Sequence, residues 1–162
     1  MRDVSDLLKG VEWASITDTV MGGVSIAELE FSPEGLLTFS GRVSLENNGG
    51  FASVRTQSAQ IDLSAYKGLL LKVRGDGKRY SLNLGSNFRI PAGSYRAAFE
   101  TVKNTWQETY LPFADFKLVA YGRQISDMPE FDPARLQSVG FMITGGQDGP
   151  FQLEVAWIRA VS

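Results

Sequence analysis

Gly68-Leu-Leu-Leu-Lys-Val-Arg-Gly-Asp-Gly-Lys-Arg-Tyr-Ser-Leu-Asn-Leu84 is the stretch that sets the architecture. Leu69, Leu71 and Val73 alternate with Leu70, Lys72 and Arg74; beyond Gly75-Asp76-Gly77, Tyr80, Leu82 and Leu84 alternate with Ser81 and Asn83. A period of two sends successive side chains to opposite faces of an extended chain, so both runs read as half-buried strands. Asp-Gly between two alternating runs is a strong short signal for a tight turn, and the sequence predicts a β-hairpin here. A dinucleotide-binding turn fits poorly, because no third glycine stands in register and no helical pattern follows.

The same period recurs on both sides. Residues 35–45 set Leu37, Phe39, Val43 and Leu45 against Thr38, Ser40, Arg42 and Ser44; with residues 24–31 and the turn Ser32-Pro-Glu-Gly35 they predict a second hairpin. Ala52 and Val54 oppose Phe51, Ser53 and Arg55, while Tyr95, Ala97 and Phe99 oppose Arg96, Ala98 and Glu100. Residues 106–111, 136–144 and 151–161 extend the series, and Trp157, two residues beyond Val155, is expected in the core. Residues 61–66 suit either a short strand or a helical turn, and residues 117–134 read as the longest irregular connection, a candidate surface. About nine or ten short strands, with Gly/Pro-rich connections and no long helical pattern, predict an all-β antiparallel sandwich. No repeat or composition shift divides the chain, so residues 1–162 read as one domain.

The chain has 162 residues, 16 basic against 18 acidic side chains and a net charge of −2, so no global field favours nucleic acid. It contains no histidine and no cysteine. That removes a Ser-His-Asp triad, a thiolate nucleophile, a disulfide framework and a cysteine-based zinc site. Hard cations need only oxygen ligands; no cofactor is expected, with a structural Ca²⁺ left open. The N-terminal residues Met1-Arg-Asp-Val-Ser-Asp-Leu-Leu8 carry acids where a signal peptide needs an apolar run, and no stretch has the length of a membrane span. These features predict a soluble protein that is neither exported nor inserted in a membrane.

Candidate site residues come from positions that the strand pattern does not use. Trp13-Ala-Ser-Ile-Thr-Asp-Thr-Val-Met21-Gly22-Gly23-Val24-Ser25 reads first as a closure where the N-terminal segment crosses the sandwich, its glycines permitting close backbone approach. Asp18 and Met21 have no evident part in such a closure and are candidate contacts. Arg55, Lys72, Arg74, Asn83, Arg96 and Gln107 form the set opposite the apolar positions, a polar and partly basic surface if several share one sheet. Trp106, on the face of Glu108 and Tyr110, reads as core by preference or else as an exposed platform. Asp18, Glu100, Asp115 and Asp148 are available as acids, but nothing in the sequence brings two together across a sugar.

Together these segments resemble the thirty-kilodalton complex I intermediate-associated protein family. The matching pieces are the Asp-x-Val-Met-Gly-Gly-x-Ser core at Asp18 to Ser25, Gly49-Gly-Phe-Ala-Ser-Val-Arg55 and Leu71-Lys-Val-Arg-Gly-Asp-Gly-Lys-Arg-Tyr80. Trp106 leading to Leu111-Pro-Phe-Ala-Asp-Phe116, and Val139-Gly-Phe141 leading to Gly149-Pro-Phe-Gln-Leu-Glu154, follow in order. The resemblance implies a galactose-binding-like jelly-roll β-sandwich and the work of an assembly factor for the respiratory NADH:ubiquinone oxidoreductase. It implies no catalytic residues, and the match to the family's bare domain without a transit sequence implies a bacterial-type, cytoplasmic version. The reading is a non-enzymatic binding domain with a protein partner, contacting it through residues among Asp18, Met21, Arg55, Asn83, Arg96 and Trp106. A carbohydrate-binding module using an outer sheet face is the alternative.

Overall fold

The computed structural model describes residues 2–3, 13–17, 26–44, 51–56, 61–86, 93–120, 123–124, 130–144, 147 and 149–161. Among them are strands β1 (Arg2–Asp3), β2 (Trp13–Thr17), β3 (Ile26–Phe31), β4 (Leu37–Val43), β5 (Ala52–Thr56), β6 (Gly68–Arg74) and β7 (Arg79–Ser86). Then come β8 (Gly93–Glu100), β9 (Trp106–Pro112), β10 (Lys117–Ala120), β11 (Arg123–Gln124), β12 (Leu136–Ile143) and β13 (Gly149–Val161). One sheet runs β3-β4-β13-β6-β9, with β1 also paired to β13; the other runs β11-β10-β8-β7-β12-β5-β2, and every pairing is antiparallel. Two sheets face each other across an apolar core, an antiparallel β-sandwich as the alternation predicts.

The predicted hairpin at residues 68–84 is corrected. β6 bonds to β13 and β9 in one sheet, and β7 bonds to β12 and β8 in the other, so the Gly75-Asp76-Gly77 turn is an arch between sheets. The alternation itself holds: Leu69, Leu71, Val73, Tyr80, Leu82 and Leu84 are all buried. Facing strands on opposite sheets bury the same core as paired strands would, so the pattern alone does not separate arch from hairpin. Asp76 fastens the arch. Its Oδ1 accepts from the Tyr80 hydroxyl at 2.9 Å and the Lys78 amide at 3.2 Å, while Oδ2 accepts from the Gln152 amide of β13 at 2.9 Å. Burial, and then the Asp76 charge, push the Tyr80 phenol well above its ordinary range. Gly75 lies so close to Thr101 that a Cβ would strike its side chain, and Gly77 takes φ +90°, where glycine is favoured.

The hairpin of β3 and β4 forms as predicted, with Ile26 opposite Arg42 and Phe31 opposite Leu37. The core is rich in aromatic contacts: Phe39 meets Phe151 edge-on at 4.9 Å, and Tyr80 lies 6.3 Å from Phe99. The described residues between 117 and 134 are more regular than predicted, since β10 pairs with β8, β11 pairs with β10, and Phe131 packs 5.4 Å from both Tyr95 and Phe113. Ile61 makes an isolated bridge to Leu136. A second correction falls in β13, where the register on β6 slips between Val155 and Trp157. The extra residue reverses the phase, burying Ile158 and Ala160 and sending Trp157 outward beneath Arg159, whose guanidinium carbon stands 3.8 Å from the ring centroid. β2 and β3 belong to different sheets, and residues 18–25 between them lie outside the described residues.

Candidate binding face

The outer face of the seven-stranded sheet follows from the strand registers. With Val54, Phe141, Leu82 and Ala97 turned into the core, their neighbours one position along point the other way. Arg55 of β5 stands opposite Gly140 of β12, Gly140 opposite Asn83 of β7, Asn83 opposite Arg96 of β8, and Arg96 opposite Lys117 of β10. One row therefore crosses five strands and carries three cations and an amide. The next row holds Ser53, Met142, Ser81 and Ala98.

Each polar member of the row is held differently. Asn83 lies along the sheet, its Oδ1 accepting from Ser81 Oγ at 2.8 Å and its Nδ2 directed at Met142 Sδ at 3.8 Å. Arg96 is half-buried, and its Nε–H donates to Ser94 Oγ at 2.9 Å. Burial pushes its guanidinium below its ordinary pKa, yet arginine keeps its charge throughout the physiological range. No carboxylate pairs with Arg96 among the described residues. Arg55 is exposed, and Lys117 Nζ donates to the Ala114 carbonyl at 3.2 Å. Gly140 leaves a gap between Arg55 and Asn83; a Cβ there would meet the Val54 carbonyl and come within 2.9 Å of Arg55 Cβ.

The remaining candidates divide. Trp106 begins β9 in the six-stranded sheet, so it does not share a face with Arg55, Asn83 and Arg96, and at 36% exposure it is not the core residue preferred from sequence. Arg74 lies over its ring at 4.9 Å while making two bonds to Glu154, at 2.9 and 2.8 Å. Lys72 and Arg74 thus belong to the other outer face. Gln107 takes the inward phase of β9 at the sandwich edge, donating to the Glu100 carbonyl at 2.7 Å. Asp18 and Met21 lie outside the described residues, as does Asp148; Glu100 and Asp115 are exposed. Sequence reasoning missed Gly140 and Lys117. Continuing the alternation of Val139 and Phe141 would have found the first; the second lay in a stretch read as irregular.

A sequence profile described as Complex I intermediate-associated protein 30 matches residues 3–155. The Drosophila melanogaster mitochondrial protein of that name is 29% identical over 170 residues, covering 91% of this chain and 57% of its own length. The probable Caenorhabditis elegans counterpart is 27% identical over 161 residues, covering 84% and 46%. The chain spans about half the length of these curated relatives. Among solved structures, a family 11 carbohydrate-binding module from Clostridium thermocellum, in complex with a mixed-linked β-1,3-1,4 tetrasaccharide, superposes with a TM-score of 0.65 at 16% identity, over 93% of this chain and 88% of that one. An agarase superposes at 0.62 with 11% identity, over 93% and 22%. At these identities the structural likeness establishes the galactose-binding-like jelly-roll fold alone.

The relatives are mitochondrial by name, and this overturns the cytoplasmic, bacterial-type expectation. That expectation rested on reading the chain as the family's bare domain without a transit sequence, which is no guide when the chain spans about half the length of these relatives. The match extends over nearly all of the sequence, from the first edge strand to the middle of β13: the chain belongs to the Complex I intermediate-associated protein 30 family.

Proposed function

We propose that this chain is a non-enzymatic binding domain that receives a protein partner on the outer face of its seven-stranded sheet during assembly of complex I or another membrane-associated complex. The observation that carries the reading is the row Arg55, Gly140, Asn83, Arg96 and Lys117, drawn into one line from five strands. The family's association with complex I intermediates supports the kind of partner. Binding of this sort needs neither a cofactor nor Ca²⁺. Among the described residues no helix is long and apolar enough to cross a membrane, which agrees with a partner met at a surface.

Affinity purification from the native cell tests the reading. The chain is expected to recover a reproducible protein partner, and the triple variant Arg55→Ala, Asn83→Ala, Arg96→Ala to lose it; recovery of none by the unaltered chain overturns the proposal. Carbohydrate binding is the second reading, favoured by the exposed Trp106 and Tyr110 on the outer face of β9. A glycan array with no signal, with and without Ca²⁺, removes it.

A further inference from the structure

We propose that the row from Arg55 to Lys117 reads carboxylates, taking an extended acidic segment of a polypeptide with Arg96 as its anchor and Arg55 as its second clamp. This rests on the protein-partner reading above and adds the chemistry of the partner.

The two outer faces differ in what their half-buried arginines already hold. On the six-stranded sheet, Arg74 is engaged by Glu154 through two bonds and by Trp106 through its ring, and Arg159 covers Trp157. An incoming acid would have to displace Glu154 from Arg74. On the seven-stranded sheet, Ser94 takes the Nε–H of Arg96, and no group among the described residues takes its two terminal NH₂ groups, which can meet a bidentate carboxylate. Half-burial removes much of the screening that weakens surface ion pairs. Lys117, next in the row, adds a second positive charge beside the same site.

The row also sets a spacing. Arg55 and Arg96 are separated by β12 and β7, three strand intervals, so their Cα atoms stand about 14 Å apart. An extended chain covers that distance in about four residues, and residues four apart in such a chain point to the same side. The floor between the arginines is low, since Gly140 has no side chain and Asn83 lies along the sheet. Among the described residues, no side chain of the row stands as a wall between the two arginines, so a segment crossing the strands can place one carboxylate on each.

The test uses a fluorescein-labelled decapeptide with glutamates four residues apart, its glutamine counterpart, and a dT10 oligonucleotide, titrated by anisotropy at 50 and 300 mM salt. The glutamate peptide is expected to bind and to weaken with salt, and the glutamine peptide to fail. Arg96→Gln should weaken binding about tenfold and Arg55→Gln about two- to fivefold, as a half-buried and an exposed charge differ. Arg96→Lys should fall between wild type and Arg96→Gln, because it keeps the charge and loses the fork. Lys72→Gln, on the other face, should change nothing. Equal binding of both peptides, dT10 binding as tight as the glutamate peptide, or Arg96→Gln indistinguishable from Lys72→Gln each overturns the inference. If a native partner is recovered equally well by Arg96→Gln, the inference fails while the protein-partner reading stands. If the glutamate peptide binds as expected but no native partner is recovered, the reverse holds.

Discussion

Replacing Asp76 by alanine should open the arch that joins the two sheets. The carboxylate accepts three hydrogen bonds, and they are unequal. The Gln152 amide and the Lys78 amide are near solvent, so water takes up much of what they lose. The Tyr80 hydroxyl is different: its side chain is 1% exposed, and among the described residues Asp76 is the acceptor it has, so without Asp76 a polar group is left unpaired in the sandwich. An orphaned buried donor costs about 1–3 kcal/mol, and a lost charged acceptor adds to that, so Asp76→Ala should destabilise by about 2–4 kcal/mol. In a chain of this length that lowers Tm by about 5–15 °C. Urea unfolding followed by tryptophan fluorescence measures it. Tyr80→Phe removes the orphan along with the bond and should cost only about 1 kcal/mol. The double variant should then be as stable as Asp76→Ala alone, or up to about 1 kcal/mol more stable because the orphaned hydroxyl is gone, giving a coupling of about 1–2 kcal/mol. A loss under about 0.5 kcal/mol for Asp76→Ala, or strict additivity in the cycle, refutes the idea that this carboxylate fastens the arch.

Tyr80 also predicts an alkaline weakness. Its folded pKa is raised above the unfolded value of about 10. Its contribution is complete below pH 10 and is lost as pH rises toward the folded value, at about 1.4 kcal/mol per pH unit. Urea midpoints between pH 9.5 and 11.5 should fall less steeply in Tyr80→Phe than in wild type, by about that slope, and equal slopes would contradict the assignment. Gly140→Ala places a Cβ against the Val54 carbonyl and Arg55 Cβ; strand shifts should cost about 1–3 kcal/mol in the same unfolding assay. Trp157→Ala should cost only about 1 kcal/mol, the size of a surface contact with Arg159, whereas Ile158→Ala should cost about 2–5 kcal/mol. A reversed order would put the tryptophan in the core.

The alternation along each strand was legible because one face of every strand is buried, and burial selects side chains two by two. Which sheet a strand joins was not legible. Leu69, Leu71 and Val73 face the same core as Tyr80, Leu82 and Leu84 whether the chain turns back beside itself or arches over, and the Asp-Gly signal favours the commoner turn. What decides is the set of bonds from Asp76 to Tyr80 and to Gln152, seventy-six residues further on, which no local window contains. The bulge at Val155 and Trp157 hides for a related reason. Its extra residue is not a glycine that would announce it, so the period of two carries a reader past it and buries Trp157 on paper.

The binding face shows the same division between phase and register. Outward phase alone selected Arg55, Asn83 and Arg96, but it also selected Lys72 and Arg74, which stand on the opposite sheet. Phase likewise placed Trp106 with neither group. Only register separates them, because it is set by pairings between strands distant in sequence: Gly140 is bonded between Arg55 and Asn83, and Arg96 between Asn83 and Lys117. The sorting has an electrostatic result. Arg74 found Glu154 across its own sheet, while the face bearing Arg55 and Arg96 offers no carboxylate to Arg96 among the described residues. A half-buried guanidinium that donates to one serine hydroxyl is costly to fold and easily stabilised by an arriving acid. That asymmetry, more than the number of cations, is why a partner should choose the seven-stranded sheet.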